Sequence, residues 1–151
     1  MYSSSMNDTG EAKETSTSSD TTIFSLIRAA HALEDKLERA LDRAGLSSPK
    51  FSVLSELVTA ERPLSLSDLA AKLSCVRSNM TQLVDRLEAD GFVRRVDDPA
   101  DRRGVRAEIT EEGRARHSAG TAEVGRLHEE FASSVAAADR AAFERLLSAL
   151  G

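Results

Sequence analysis

The chain has 151 residues, of which 40% are hydrophobic and 30% charged, with a formal net charge of −5 and a single cysteine. That composition fits one helix-rich domain with a real core, excludes an intramolecular disulfide, and contains no apolar run near the roughly 20 residues needed to cross a bilayer. No signal-peptide pattern opens the sequence, so the expected location is cytoplasmic.

Met1 to about Asp20 is rich in Ser, Thr, Asp and Glu and poor in apolar residues. Such a segment cannot offset the entropy of ordering, and 1–20 reads as a disordered tail. From Thr22 to Ala44 the apolar residues Ile23, Ile27, Ala30, Leu33, Leu37 and Leu41 recur at steps of three or four, with Gly45 just beyond, which predicts a long amphipathic helix. Ser48 and Pro49 start a second helix with Phe51, Val53, Leu54, Leu57 and Val58 inward, ending before Pro63.

A short helix follows from Ser65, whose spacing to Asp68 is that of a capping box, with Leu66, Leu69, Ala70 and Leu73 on its inner face. Only a tight turn fits between Leu73 and Arg77. Val76 to Gly91 is the next helix: Met80, Leu83, Val84 and Leu87 form one stripe, and Ser78 and Gln82 lie opposite it, flanked by Asn79, Thr81, Asp85 and Arg86. Gly91 is placed to end that helix. Two short helices joined by a tight turn, the second with a polar outer face, form the helix-turn-helix pattern.

The periodicity then changes to two. Phe92, Val93 and Val96 make one strand and Val105, Ala107 and Ile109 another, around the loop Asp97 to Gly104, which carries Asp101, Arg102 and Arg103. This is a wing. Thr110, followed by Glu111 and Glu112, starts a helix expected to run to about Ala137 with Val124, Leu127, Phe131 and Val135 inward. Asp139 is placed to cap a last helix bearing Phe143, Leu146, Leu147 and Leu150.

The net charge is unevenly distributed. From Lys72 to Arg106 eight basic residues face six acids, a local +2 that leaves −7 for the rest of the chain.

The motifs LSDLAAKL (Leu66 to Leu73), TQLVDRLEADGFVRR (Thr81 to Arg95), DDPADRR (Asp97 to Arg103) and ITEEG (Ile109 to Gly113), in this order, resemble the MarR-type winged-helix transcriptional regulators. Two positions depart from that family's pattern. Val76 stands where a capping Ser is usual, and Ser74 where a turn Gly is common.

The resemblance implies a mainly α fold with a small β-ribbon, a winged helix-turn-helix with long terminal dimerisation helices. Residues 21–151 would form a single domain, with 21–46 and 111–151 as dimerisation helices and 47–110 as the DNA-binding lobe. It further implies a homodimeric repressor on a pseudo-palindromic double-stranded DNA operator, released by a small-molecule effector bound between the dimerisation helices and that lobe. Arg77, Ser78, Asn79, Thr81, Gln82 and Arg86 would then be the DNA-binding residues of the recognition helix. Amides pair bidentately with adenine and hydroxyls are adaptable. Asp101, Arg102 and Arg103 would serve the wing, with Asp101 holding one Arg while the other reaches DNA.

Nothing in the chain reads as catalytic or metal-binding. His31, His117 and His128 are scattered over helices with no metal-ligand spacing, and no nucleophile triad or phosphate loop is present. The expectation is no enzyme, no cofactor and no membrane association. Cys75 has a redox reading and a packing reading, and the packing reading is preferred because the reactive cysteine of peroxide-sensing relatives lies in the first helix. Asp85, Glu88 and the acidic total favour one further alternative, a winged-helix interaction module without DNA binding.

Overall fold

The computed structural model describes residues 15–150, with side chains from residue 22 except at residue 138. The expected tail at 1–20 therefore lies outside the described residues as far as residue 14. The described residues divide into two units, the first ending at Asp35 and the second starting at Lys36.

In the first unit the described residues belong to α1 (Thr15–Asp42), which starts before the expected Thr22. Once a helix has nucleated, each added residue costs little, so low-propensity Ser and Thr are carried along at its end. Ile23, Phe24, Leu26, Ile27 and Leu33 stay exposed there.

The second unit contains the end of α1, then α2 (Ser48–Ala60), β1 (Leu64–Ser65), α3 (Leu66–Lys72), α4 (Arg77–Ala89), β2 (Val93–Asp98), β3 (Asp101–Ile109), α5 (Glu111–Ser134) and α6 (Ala137–Leu150). The three strands are antiparallel in the order β1-β3-β2, with Leu64 opposite Ala107 and Val93 opposite Ile109. At two residues, β1 is too short to give an alternation signal, and it was not expected. One core joins Leu41, Leu46, Val53, Leu54, Leu57, Leu64, Leu69, Met80, Val84, Leu87, Val93 and Ala107. Truncating a fully buried leucine such as Leu57 to Ala costs about 2–5 kcal/mol in such a core.

Local chemistry sets the boundaries. Pro49 lies in the first turn of α2. Ser65 accepts the Asp68 amide at the start of α3, the forward half of the capping box. Thr110 caps α5 by accepting the Gly113 amide at 3.0 Å and donates its own hydroxyl to the Gly91 carbonyl at 2.6 Å, pinning the start of α5 to the end of α4.

Two expectations at the C-terminal end are corrected. Helix α5 stops at Ser134, because Val135 is extended (φ −103, ψ 119), and α6 begins at Ala137, which puts Asp139 in its first turn and not at its cap. The break lets α6 return along α5. Phe131 and Phe143 meet with ring centroids 5.6 Å apart, and Arg140 donates to the Ala132 carbonyl left open by the helix end. Among the described residues no helix is long and apolar enough to cross a membrane.

Candidate nucleic-acid interface

Helix α4 buries Met80, Val84 and Leu87 and exposes Arg77, Ser78, Asn79, Thr81, Gln82, Asp85 and Arg86. The six residues expected to face DNA thus share the solvent side of one helix. Thr81 donates its hydroxyl to the Arg77 carbonyl at 3.1 Å, which leaves its oxygen lone pairs for an outside donor. At the far end Gly91 adopts φ +80, and the amides of Gly91 and Phe92 close on the carbonyls of Glu88 and Leu87, a Schellman cap.

The turn before α4 carries both departures from the family pattern. Ser74 is left-handed at φ +49, closed by the Cys75 amide on the Ala70 carbonyl at 2.9 Å, so a non-glycine residue occupies a position that favours glycine. Val76 is the N-cap of α4 and its side chain makes no capping hydrogen bond. Cys75 is half-buried against the core and borders an apolar cleft with Leu73, Met80 and Leu83. It packs as a small hydrophobe, less deeply than the sequence reading implied.

The wing is a hairpin closed at Pro99-Ala100, so its strands run further into the expected loop than the periodicity indicated. Asp97 pairs with Val105 but Asp98 pairs with Asp101, which leaves Arg102, Arg103 and Gly104 as a bulge. That bulge exposes both arginines. Asp98 accepts the Ala100 amide at 2.9 Å and pairs with Arg106 at 3.0 Å. The Arg106 guanidinium beside it holds the Asp98 carboxyl below the usual carboxylate range, and Asp98 in turn raises Arg106. Asp101 holds Arg103 through the main chain, accepting its amide at 2.9 Å, and forms no ion pair with either wing guanidinium. A Cβ at Gly104 would come within 2.9 Å of the Asp98 Cβ, so this tight bulge needs glycine.

Ion pairing sorts the cations. Lys72 pairs with Glu56, Arg94 with Glu108, Arg95 with Asp85 and Glu88, and Arg106 with Asp98. Of the eight basic residues from Lys72 to Arg106, the four with no ion pair among the described residues are Arg77, Arg86, Arg102 and Arg103. Arg95 also takes up the acids of the recognition helix. It engages both Asp85 and Glu88, and its own amide donates to Glu88 at 3.0 Å. The roles of Arg95, Asp98 and Arg106 were missed in the sequence, because they depend on a hairpin register that charge counting does not reveal.

His117 lies away from this surface. Its ring stacks on Phe51 with centroids 5.1 Å apart, and Nε2 lies 3.0 Å from the Ser55 hydroxyl. Ser55 already donates its one proton to the Phe51 carbonyl, so the imidazole is the donor. Burial pushes the His117 pKa down. Among the described residues no His, Cys, Asp and Glu group could hold a metal.

Residues 46–105 match the model of the MarR family. The HTH-type transcriptional regulator PrsX of Escherichia coli is 38% identical over 88 residues, which cover 58% of this chain and 53% of that protein. The chain spans about half the length of the curated relatives it matches. Structures resemble it over a longer stretch. Sco3205, a MarR family transcriptional regulator from Streptomyces coelicolor in complex with DNA, is 28% identical with a TM-score of 0.75 over 94% of this chain and 91% of that one. A mutant MarR from E. coli complexed with operator DNA is also 28% identical, with a TM-score of 0.71 over 85% of this chain and 95% of that one. PrsX and Sco3205 are both transcriptional regulators. The helix-turn-helix and wing thus match the MarR family model, and the fold along most of the chain is similar to that of a DNA-bound MarR family regulator.

Proposed function

We propose that the protein is a sequence-specific DNA-binding transcriptional regulator, a dimeric repressor released from its operator by a small ligand. The observation that carries this reading is the pairing pattern of the cations. Carboxylates neutralise the basic residues at the base of the wing and behind α4, while Arg77, Arg86, Arg102 and Arg103 face solvent with no ion pair among the described residues. Unpaired guanidinium groups suit phosphates and a narrow minor groove. Ser78, Asn79, Thr81 and Gln82 stand beside them as readers of base edges.

The uptake of Asp85 and Glu88 by Arg95 weighs against the interaction-module alternative, since these acids are already compensated. The redox alternative has little support. Cys75 contacts the Val76 carbonyl and apolar neighbours, and Arg77 beside it points to solvent.

Dimerisation is supported by apolar side chains that a single chain leaves uncovered: Phe24 and Ile27 in α1, and Leu146, Leu147 and Leu150 in α6. For the effector, an open cleft of about 390 Å³ bordered by Lys36, Arg39, Arg43 and Arg126 has the size of a small-ligand site, and it lies between α1 and α5, not against residues 47–110 as the sequence resemblance implied. Selection of bound fragments from a genomic library, followed by footprinting, tests the function. An inverted repeat with half-sites about one helical turn apart is the expected result. Failure to enrich any sequence over random DNA would refute it.

A further inference from the structure

Among the large apolar side chains from Ser65 to Ala89, Val76 alone is exposed, at 62%. Its neighbours explain its orientation. Cys75 turns inward beside Leu73, Met80 and Leu83, and the extended backbone of Val76 (φ −71, ψ 144) directs the next side chain outward at the tip of α4. Nothing in the fold requires valine there. It is absent from the core, makes no capping hydrogen bond, and is a poorer N-cap than Ser, Thr or Asp. A residue that breaks a local rule without a packing gain marks a position shaped by function.

We propose that Val76 is a specificity-determining residue that packs its two methyl groups on the C5-methyl of a thymine in the major groove. This rests on the DNA-binding reading above. The N-terminal residues of a recognition helix are the ones that meet base edges, and Val76 stands at that end beside the unpaired Arg77 and the exposed Ser78. The floor of the major groove offers donors and acceptors at every base pair, and the thymine methyl is its one apolar feature. Valine cannot hydrogen-bond to any of the polar edges. Over a cytosine it would cover the exocyclic amine without replacing the water lost, whereas over thymine it removes two apolar surfaces from water together.

The test uses the full chain and a duplex enriched from a random pool, with each thymine replaced in turn by deoxyuridine, which lacks only the methyl. Wild-type protein should show one position per half-site at which the substitution weakens binding about fourfold, the effect of one methyl-sized contact. In Val76→Ala and Val76→Ser, checked for native circular dichroism, that position should become insensitive while the remaining positions keep their wild-type responses. A scan that is flat at every thymine, or a sensitive thymine whose response is unchanged in both variants, overturns the assignment to Val76. A pool that yields no enriched duplex refutes the DNA-binding reading instead, and this proposal falls with it.

Discussion

Asp98 and Arg106 meet at 3.0 Å across the wing hairpin, with only 12% and 24% of their side chains exposed. The pair fixes the strands on either side of the Arg102-Arg103 bulge, so wing geometry depends on a carboxylate. Because the folded-state pKa of Asp98 is lowered, the stabilisation is present at neutral pH and is lost as pH falls through the carboxylate range. Asp98→Asn should therefore unfold at lower urea than wild type at pH 7, with the gap closing on acidification. A pH-independent gap would contradict this.

The turn before the recognition helix can be improved. Ser74→Gly removes the strain of a left-handed serine and should add about 1 kcal/mol to stability, read from the urea midpoint. Val76→Ser restores an N-cap and should add about 1 kcal/mol more, while losing the methyl response described above.

Two glycines of α5 should respond with opposite signs. A Cβ on Gly113 would overlap the Phe92 carbonyl oxygen and press on Ile109, with backbone unable to yield, so Gly113→Ala should destabilise by about 1–3 kcal/mol or more. Gly125 has open space around it, and Gly125→Ala should stabilise by about 0.5–1 kcal/mol. Thermal unfolding of the two variants separates these outcomes.

His117 should make the fold sensitive to mild acid. Its folded-state pKa is lowered by burial, so the unfolded state binds a proton first, and stability should decline as pH drops below about 6.5. Replacing His117 by Gln should remove that part of the decline. An unchanged pH profile between 7 and roughly 5 would refute the assignment.

Much of this architecture could be read from the chain because its signals are local. Ser65, Thr110 and Gly91 act within a few residues of themselves, and each sits where its capping role places it. The stripe of Met80, Val84 and Leu87 is likewise set by helical spacing. What escaped depends on register or on distance. The β1 strand exists only because Leu64 finds Ala107, and the hairpin register decides that Asp98 and not Asp101 pairs with an arginine. Charge counting from Lys72 to Arg106 yielded a small positive excess, but which cations are free became clear only once their partners were in place.

The salt dependence of operator affinity tests that pattern most directly. Each phosphate neutralised adds about 0.9 to the slope of log affinity against log salt. Wild-type protein should show a steep slope, Arg77→Ala and Arg103→Ala should each lower it by about one unit, and Arg94→Ala, whose guanidinium is held by Glu108, should leave it unchanged. Equal losses from the paired and unpaired arginines, or a flat wild-type slope, would contradict the account.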